Sequence, residues 1–323
     1  MKNKSILVTG GCGFIGSNIV EKLLSMNVNK VRILDNLSTG NMENINFLIK
    51  KYKKIGKLEF IKGDICDIDI CRLAMKDIDM VCHQAALGSV PRSVNDPLSS
   101  HLSNVNGFFN ILLAAKENNI KRIVYASSSS VYGDEEELPK VENKTGNLLS
   151  PYAATKAIDE IYGWIFHHTY GMECIGLRYF NVFGYRQNPK GAYAAVIPKF
   201  IELMIMEERA KIFGDGSYSR DFTFIDNVVS ANILALQTED KNSYGKAINI
   251  GAGGRVTILH LYKTIKNILN YSKDPIFVEN REGDIPHSNA NINLAKELLG
   301  YEPSVNFEEG IKKTVEHYLK SLK

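Results

Sequence analysis

The chain has 323 residues, about twice the ~150-residue norm for a domain, so one large or two modest domains are expected. A hydrophobic fraction of 44% and a charged fraction of 23% exclude a disordered or collagen-like chain. With 39 Lys+Arg against 36 Asp+Glu, the net charge of +3 is too even to mark a nucleic-acid binder, which clusters excess cations on one face. The densest basic run, Lys50, Lys51, Lys53 and Lys54, reads as a solvated helix end. No apolar stretch approaches the length that spans a bilayer. The apolar run after the basic start, Ile6-Leu7-Val8, is too short for an export signal. The 5 cysteines are odd in number and lack CxxC spacing, so neither a disulfide framework nor a zinc site is expected, and a reducing cytoplasm fits. The adjacent pair His167-His168 points to different sides of a helix and reads as surface.

Along the chain, short apolar runs alternate with amphipathic stretches. Strands are predicted over 5–9, 30–35, 58–62, 79–83, 122–127 and 173–178, with helices over 14–26, 102–117 and 152–170 between them. Fully apolar strands separated by helices argue for a parallel sheet covered on both faces, hence a doubly wound α/β (Rossmann) fold. The regularity breaks after Arg178. A helix over 194–207, a turn at Gly214-Asp215-Gly216, a second break near Gly251-Ala252-Gly253-Gly254 and helices over 259–269, 293–299 and 308–319 suggest a smaller α/β substrate lobe. The division expected is 1–178 plus about 226–251 for the sheet domain, and 179–225 plus 252–323 for the lobe.

Gly10-Gly11-Cys12-Gly13-Phe14-Ile15-Gly16 lies between the first strand and the first helix. The spacing of Gly10, Gly13 and Gly16 is GxxGxxG, which serves a tight turn, close approach of backbone to a pyrophosphate, and close helix–strand packing. No GK[ST] follows, which argues against a P-loop. Asp35 ends the second strand 19 positions after Gly16 (35 − 16). A carboxylate there accepts ribose hydroxyls and repels a 2′-phosphate, so NAD is expected over NADP. Asp64 is placed to face the adenine amino group, and Ala85 and Ala86 are small enough to line a dinucleotide path.

Tyr152-Ala153-Ala154-Thr155-Lys156 puts a phenol and an ammonium at i and i+4, on one face of a helix. A nearby cation stabilises a phenolate, which is what a general base of this type needs. Ser127-Ser128-Ser129-Ser130, flanked by Val124-Tyr125 and Val131-Tyr132, sits at a strand end, where hydroxyls orient a substrate oxygen or stabilise charge developing on it.

These segments, with Asp35-Asn36-Leu37-Ser38-Thr39-Gly40, Arg178-Tyr179-Phe180-Asn181, Arg220-Asp221-Phe222 and Arg281-Glu282-Gly283-Asp284, make the chain resemble the extended short-chain dehydrogenase/reductase family and its nucleotide-sugar 4-epimerases nearly end to end. The stretches QAALGSVPRSV (84–94) and GAYAAVIP (191–198) resemble the branch acting on UDP-N-acetylhexosamines. The resemblance implies tightly held NAD⁺ that takes the C4 hydride while Tyr152 takes the 4-hydroxyl proton. A 4-ketopyranose then turns over and is reduced on its other face. Lys156 would hold the nicotinamide ribose, and Ser128 the reacting oxygen. By the same resemblance the cofactor contacts are Gly10, Gly13, Phe14, Ile15, Asp35, Asn36, Ser38, Thr39, Gly40, Asp64, Ile65, Gln84, Ala85, Ala86, Asn104, Tyr152, Lys156, Tyr179 and Val182. The UDP-sugar contacts are Gly88, Ser89, Ser128, Ser129, Ser130, Tyr152, Asn181, Ala195, Val196, Lys199, Arg220, Arg281, Asp284 and Ser288, with Arg92 a further candidate. Arg220 and Arg281 are the expected diphosphate partners, because guanidinium forks match phosphate oxygens.

In that family a small residue four positions after the RxxD aspartate admits a 2-acetamido group, and here it is Ser288. UDP-N-acetylglucosamine is therefore the expected substrate, with UDP-glucose and a UDP-linked uronate as alternatives, since Arg92 or the serines would receive a carboxylate. A 4,6-dehydratase is disfavoured, because Ser129-Ser130-Val131 after Ser128 carries no carboxylate. A non-catalytic NAD sensor is disfavoured by the retained Tyr152 and Lys156. A homodimer through the helices bearing Ile158, Ile161, Ile165, Leu112 and Leu113 is also implied, against the alternative that these residues pack on the sheet. No metal is expected, and the product would serve polysaccharide synthesis.

Overall fold

The structure is a computed structural model and describes residues 1–189, 195–280 and 285–321. In chain order its strands are β1 (Ser5–Thr9), β2 (Lys30–Asp35), β3 (Leu58–Lys62), β4 (Met80–His83), β5 (Arg122–Ser128), β6 (Glu173–Tyr179), β7 (Val182–Phe183), β8 (Lys211–Phe213), β9 (Ser219–Arg220), β10 (Thr223–Phe224), β11 (Lys246–Ile250), β12 (Val256–Thr257) and β13 (Ile276–Val278). Seven of them form one sheet in the order β11-β6-β5-β4-β1-β2-β3, and all of its pairings are parallel. The burial of Ile6, Leu7 and Val8, on both faces of β1, is the reason the strands read as continuous apolar runs.

The helices are α1 (Phe14–Ser25), α2 (Asn46–Tyr52), α3 (Ile68–Met75), α4 (Val90–Asn95), α5 (Pro97–His101), α6 (Gly107–Glu117), α7 (Pro151–Tyr170), α8 (Val196–Ile205), α9 (Ile225–Gln237), α10 (Ile258–Leu269), α11 (Asn293–Leu299) and α12 (Phe307–Ser321). Ile19, Val20 and Leu23 of α1 and Val228, Ile233 and Leu236 of α9 join one core with one face of the sheet. Cys71 and Met75 of α3, Phe108, Ile111 and Leu112 of α6, and Phe166 of α7 join a second core on the other face. The first core continues into α8, α10, α11 and α12, so the later part of the chain packs onto the sheet layer through apolar contact.

The sequence reading leaves out several elements, α3, α9 and the short strands of the later part of the chain among them, and two differences bear on the site. The expected helix over 102–117 begins in α5 and passes through a π-helical turn, Leu102–Asn106, before α6. Such turns widen the helix locally and re-aim a side chain, here Asn104. β11 was not anticipated as a strand. Its Ala247-Ile248-Asn249-Ile250 is short, and its polar member is buried. Asn249 is satisfied from all sides: it accepts from Tyr132 Oη at 2.7 Å, and its amide donates to the Lys140 carbonyl at 2.9 Å. Tertiary pairing with β6 therefore makes a strand where local pattern is weak. The serine run is ordered: Ser127 and Ser128 end β5, and Ser129–Tyr132 form a 3-10 turn capped by Ser128.

Candidate active site

The strand order reverses between β1 and β4, and a crevice opens at the carboxyl ends of the strands there, as geometry requires when crossovers leave in opposite directions. A cavity of about 290 Å³ fills it, lined by Gly10, Gly13, Phe14, Ile15, Asp35, Asn36, Ser38, Thr39, Gly40, Ile65, Gln84, Ala85, Ala86 and Gly88. Thus most of the expected cofactor contacts, and one expected sugar contact, come together. Gly10 has φ +66°, and a Cβ on it would stand 2.7 Å from the Ala85 nitrogen. A Cβ on Gly16 would meet the Gly10 carbonyl. The turn therefore tolerates only glycine and brings bare backbone to the cavity. α1 starts at this turn with no side-chain cap, so its first N–H groups and dipole are free to meet an anion.

Asp35 is held by N–H bonds from Cys12 at 2.9 Å and Leu37 at 2.8 Å. Each carboxylate oxygen keeps a further lone pair that can accept another hydrogen bond. Burial, then the charge of Asp35, pushes the Cys12 thiol up to about 12, so this cysteine is inert packing in the loop. Asp64 stands beside the cavity, bonded by Asn36 at 2.8 Å and the Cys66 N–H at 2.8 Å. Burial alone would raise its pKa, but these bonds hold it below the usual carboxylate range. Asn104 is buried and committed to Leu87 and Thr155, so it braces the cavity wall. Tyr179 donates from the same wall to Gln84 at 3.1 Å, and Val182 lies in β7. Leu87 and Ser103 also line the cavity and were not anticipated.

The expected reacting pair, Tyr152 and Lys156, sits on α7, and Ser128 at the end of β5. Ser150 caps it, accepting from the Ala153 N–H at 3.1 Å, and Pro151 starts it with φ pre-set. The Tyr152 N–H donates to the buried Ser93 Oγ at 3.0 Å, tying the tyrosine to α4. Lys156, one turn on, is 2% exposed and donates to the Ala126 carbonyl at 2.8 Å and Asp159 at 3.0 Å. Burial lowers its pKa, but the charges of Asp159 and Tyr152 outweigh that and raise it, so the ammonium stays charged. Ser127 Oγ is bound to Glu160 at 2.5 Å, while Ser128, Ser129 and Ser130 are half-buried. The Ser130 Oγ is buried with no protein partner, the state of a hydroxyl that a ligand completes. His83, under the site, is pushed down to about 3 by burial and then by Lys156. It is therefore neutral, and it bonds Thr9 at 2.8 Å.

A second cavity of about 600 Å³ lies between α8 and the short β8–β13 and β9–β12 ladders. Asn181, Val196, Lys199 and Arg220 line it as expected, and so do Phe213, Tyr218, Arg209 and Lys211, which the sequence reading missed. These four carry no motif of their own: Lys211 and Phe213 lie on β8, which pairs with β13, Arg209 donates to the Asp274 and Pro275 carbonyls, and Tyr218 leads into β9. Aromatic faces beside cations suit a base with an attached anionic chain. Arg220 donates to the Ser219 and Pro286 carbonyls. Asp221 is buried and accepts N–H bonds from Ala252, Gly253 and Ala290. Ser288 is half-buried, its N–H fixed to the Ser219 carbonyl at 3.0 Å. Ser89 caps α4 with φ +97°, and Ala195 precedes α8. Arg281 and Asp284, expected at the diphosphate and ribose, lie outside the described residues. Among the described residues no cluster suited to a metal ion occurs, and no helix is long and apolar enough to cross a membrane.

Residues 6–251 match the model of the NAD dependent epimerase/dehydratase family. A UDP-glucose 4-epimerase of Mycolicibacterium smegmatis is 37% identical over 97% of this chain and 97% of its own. The solved UDP-N-acetylglucosamine 4-epimerase of Methanobrevibacter ruminantium, in complex with UDP-N-acetylmuramic acid, superposes with a TM-score of 0.92 at 41% identity, covering 99% of this chain and all (100%) of that one. The UDP-glucose 4-epimerase of Thermotoga maritima, solved with UDP-glucose, gives a TM-score of 0.91 at 36% identity over 99% of this chain and 100% of its own.

Proposed function

The chain belongs to the NAD dependent epimerase/dehydratase family, and from that premise we propose that it inverts C4 of a UDP-N-acetylhexosamine, interconverting UDP-N-acetylglucosamine and UDP-N-acetylgalactosamine. It is an isomerase, an NAD-dependent UDP-sugar 4-epimerase, as its relatives are. The glycine turn, the uncapped start of α1 and Asp35 fit the dinucleotide. Bound there, NAD supplies a hydride acceptor and donor for C4.

The chain's own residues supply the rest. Tyr152, held by Ser93, takes the proton from the 4-hydroxyl and returns it to the 4-keto oxygen. Lys156, charged and buried, keeps a positive field on that phenol and has a third N–H for the nicotinamide ribose. Ser128 and Ser130 hold the reacting sugar, Ser130 through its unpartnered hydroxyl. Arg220 and Lys199 meet the diphosphate, and Phe213 and Tyr218 the uracil. With the nucleotide gripped in the second cavity, the sugar turns about its diphosphate link and presents either face to C4 chemistry.

The observation that carries the substrate choice is Ser288, a small side chain on a segment pinned to Ser219. By the family resemblance, a small side chain at this position admits a 2-acetamido group that a tyrosine would exclude. The test is incubation of the purified protein, without added NAD, with UDP-N-acetylglucosamine, UDP-glucose and the N-acetylated uronate in parallel. Faster conversion of the first, lost in Ser288→Tyr while UDP-glucose turnover survives, is expected. Conversion of the uronate alone would overturn the substrate and keep the mechanism.

The dimer reading gains support from apolar exposure on α5 and α7: Leu98 at 67%, Ile161 at 60% and Trp164 at 51%; Leu112, also expected at the contact, is instead buried in the core of the sheet layer. Exposed apolar patches of this kind mark self-association.

A further inference from the structure

Tyr152, Lys156 and Asp159 lie at i, i+4 and i+7 of α7 and so share one face of the helix. Lys156 and Asp159 are the innermost pair, with side chains 2% and 2% exposed and Nζ to Oδ2 3.0 Å apart. The ammonium also donates to the Ala126 carbonyl at 2.8 Å. The next acid, Glu160, is already satisfied by Arg178 at 2.8 Å and by Ser127. Asp159 differs: its Oδ1 is buried with no hydrogen-bond partner. An acid that is buried, half-satisfied and set beside the lysine of the reacting pair is expensive to keep unless its charge acts on that pair.

We propose that Asp159 is a positioning residue for the epimerisation: its carboxylate clamps the Lys156 ammonium against the Ala126 carbonyl and offsets part of the positive field that Lys156 lays on Tyr152. Asp159 thereby sets the pH range over which Tyr152 works as an acid and a base in turn, which a two-way proton transfer requires. Other titratable groups face the pair: Tyr152 and Glu160 on α7, His83 on β4 and Tyr125 on β5. Burial, with Glu160 adding to it and Lys156 opposing, pushes the Asp159 carboxyl up to about 6. The Lys156 ammonium 3.0 Å away favours the ionised form. The inference rests on the epimerase reading only for the role of Tyr152.

The test is Asp159→Asn, which keeps an acceptor for Lys156 and removes the charge. Seven residues of helix separate Asp159 from Tyr152 by roughly 10 Å. A unit charge at that distance corresponds to about one pH unit at an effective dielectric near 20. Two readouts are taken. One is the tyrosinate difference absorbance that Tyr152→Phe abolishes, titrated in the NAD-loaded protein. The other is the acid limb of the kcat–pH profile. Both midpoints are expected to fall by about one unit in Asp159→Asn and to stay in place in Asp159→Glu, which keeps the charge on a longer arm and lowers kcat through misplacement. A midpoint that does not move in Asp159→Asn overturns the proposal. Should that variant not fold, a midpoint that moves in Asp159→Glu overturns it equally. If no UDP-hexose is converted by the unaltered protein, the epimerase reading fails, and the tyrosinate titration still decides on Asp159.

Discussion

The fork between Arg178 and Glu160 behind the serine run makes a sharp test of what holds the site in place. Arg178 donates from Nε at 2.9 Å and from Nη2 at 2.8 Å to the two oxygens of Glu160, and its Nη1 reaches Tyr132 Oη and the Glu142 carbonyl at 3.0 Å each. The side chains are 8% and 15% exposed. Glu160→Ala removes the acceptors of two N–H donors of the one Arg178 guanidinium and leaves a buried charge with only neutral partners. Each stranded donor costs about 1–3 kcal/mol, and breaking one side of a buried pair about 3–5 kcal/mol in total. That is a large share of the ~5–15 kcal/mol stability of an ordinary domain. Removing both charges, in Glu160→Leu with Arg178→Met, leaves no unpaired guanidinium, although Ser127 Oγ and the Glu142 carbonyl lose these partners, and it should therefore cost less than the single change. The assay is urea unfolding of both variants and the parent, read as midpoint at constant slope. A single variant that loses less than ~1 kcal/mol, or a double variant no more stable than the single, would refute the reasoning. Ser127 shares the Glu160 carboxylate. Glu160→Ala should therefore also loosen the end of β5 and lower kcat more than it raises KM.

Three further outcomes are expected. His83 has a folded pKa of about 3 because burial, and then Lys156, disfavour its charged form. The unfolded chain protonates near 6.5. Its contribution is thus present above pH 6.5 and is lost as pH falls through that value towards 3. Between pH 7 and 5 the parent should lose about 2 kcal/mol that His83→Gln does not lose, read from urea midpoints; equal losses would remove His83 as the cause. Gly16→Ala places a methyl on the Gly10 carbonyl, so the purified variant should carry little NAD, measured as cofactor released on acid denaturation; a full complement would show that the turn can shift. Trp164→Glu puts a charge on the exposed apolar face of α7. By sedimentation it should convert a dimer to a 36.1 kDa species, whereas a parent already at that mass would end the dimer reading.

Much of the site could be read in one dimension because its parts are local. The glycine turn, the strand-end Asp35 and the Tyr152–Lys156 pair each need only a few consecutive residues, and helix or strand periodicity turns those spacings into geometry. The chain segments around them are also strongly apolar, so β1 to β6 and α7 were legible to within a residue or two. Asn104 was named from its family position, but the π-helical turn that carries it has no local signature, and its amide goes to Leu87 and Thr155.

The nucleotide side behaved differently. Phe213, Tyr218, Arg209 and Lys211 have no spacing that marks them, and two- and three-residue ladders such as β8–β13 are too short for periodicity to show. β11 was missed because its buried Asn249 breaks the apolar alternation, and only the hydrogen bonds from Tyr132 and to Lys140 make that asparagine affordable inside. Local sequence sufficed for six of the seven strands of the large sheet, for the glycine turn and for the one-face spacing of Tyr152 and Lys156, since backbone sterics and side-chain period act over neighbouring residues. The folded arrangement was needed to show which hydroxyl of the serine run is committed to Glu160 and which has no protein partner, that Asp159 and not Glu160 bonds to Lys156, and how distant segments close a second cavity. Those outcomes depend on desolvation and on partners far apart in the chain, and desolvation has no value until the fold has placed both partners out of water.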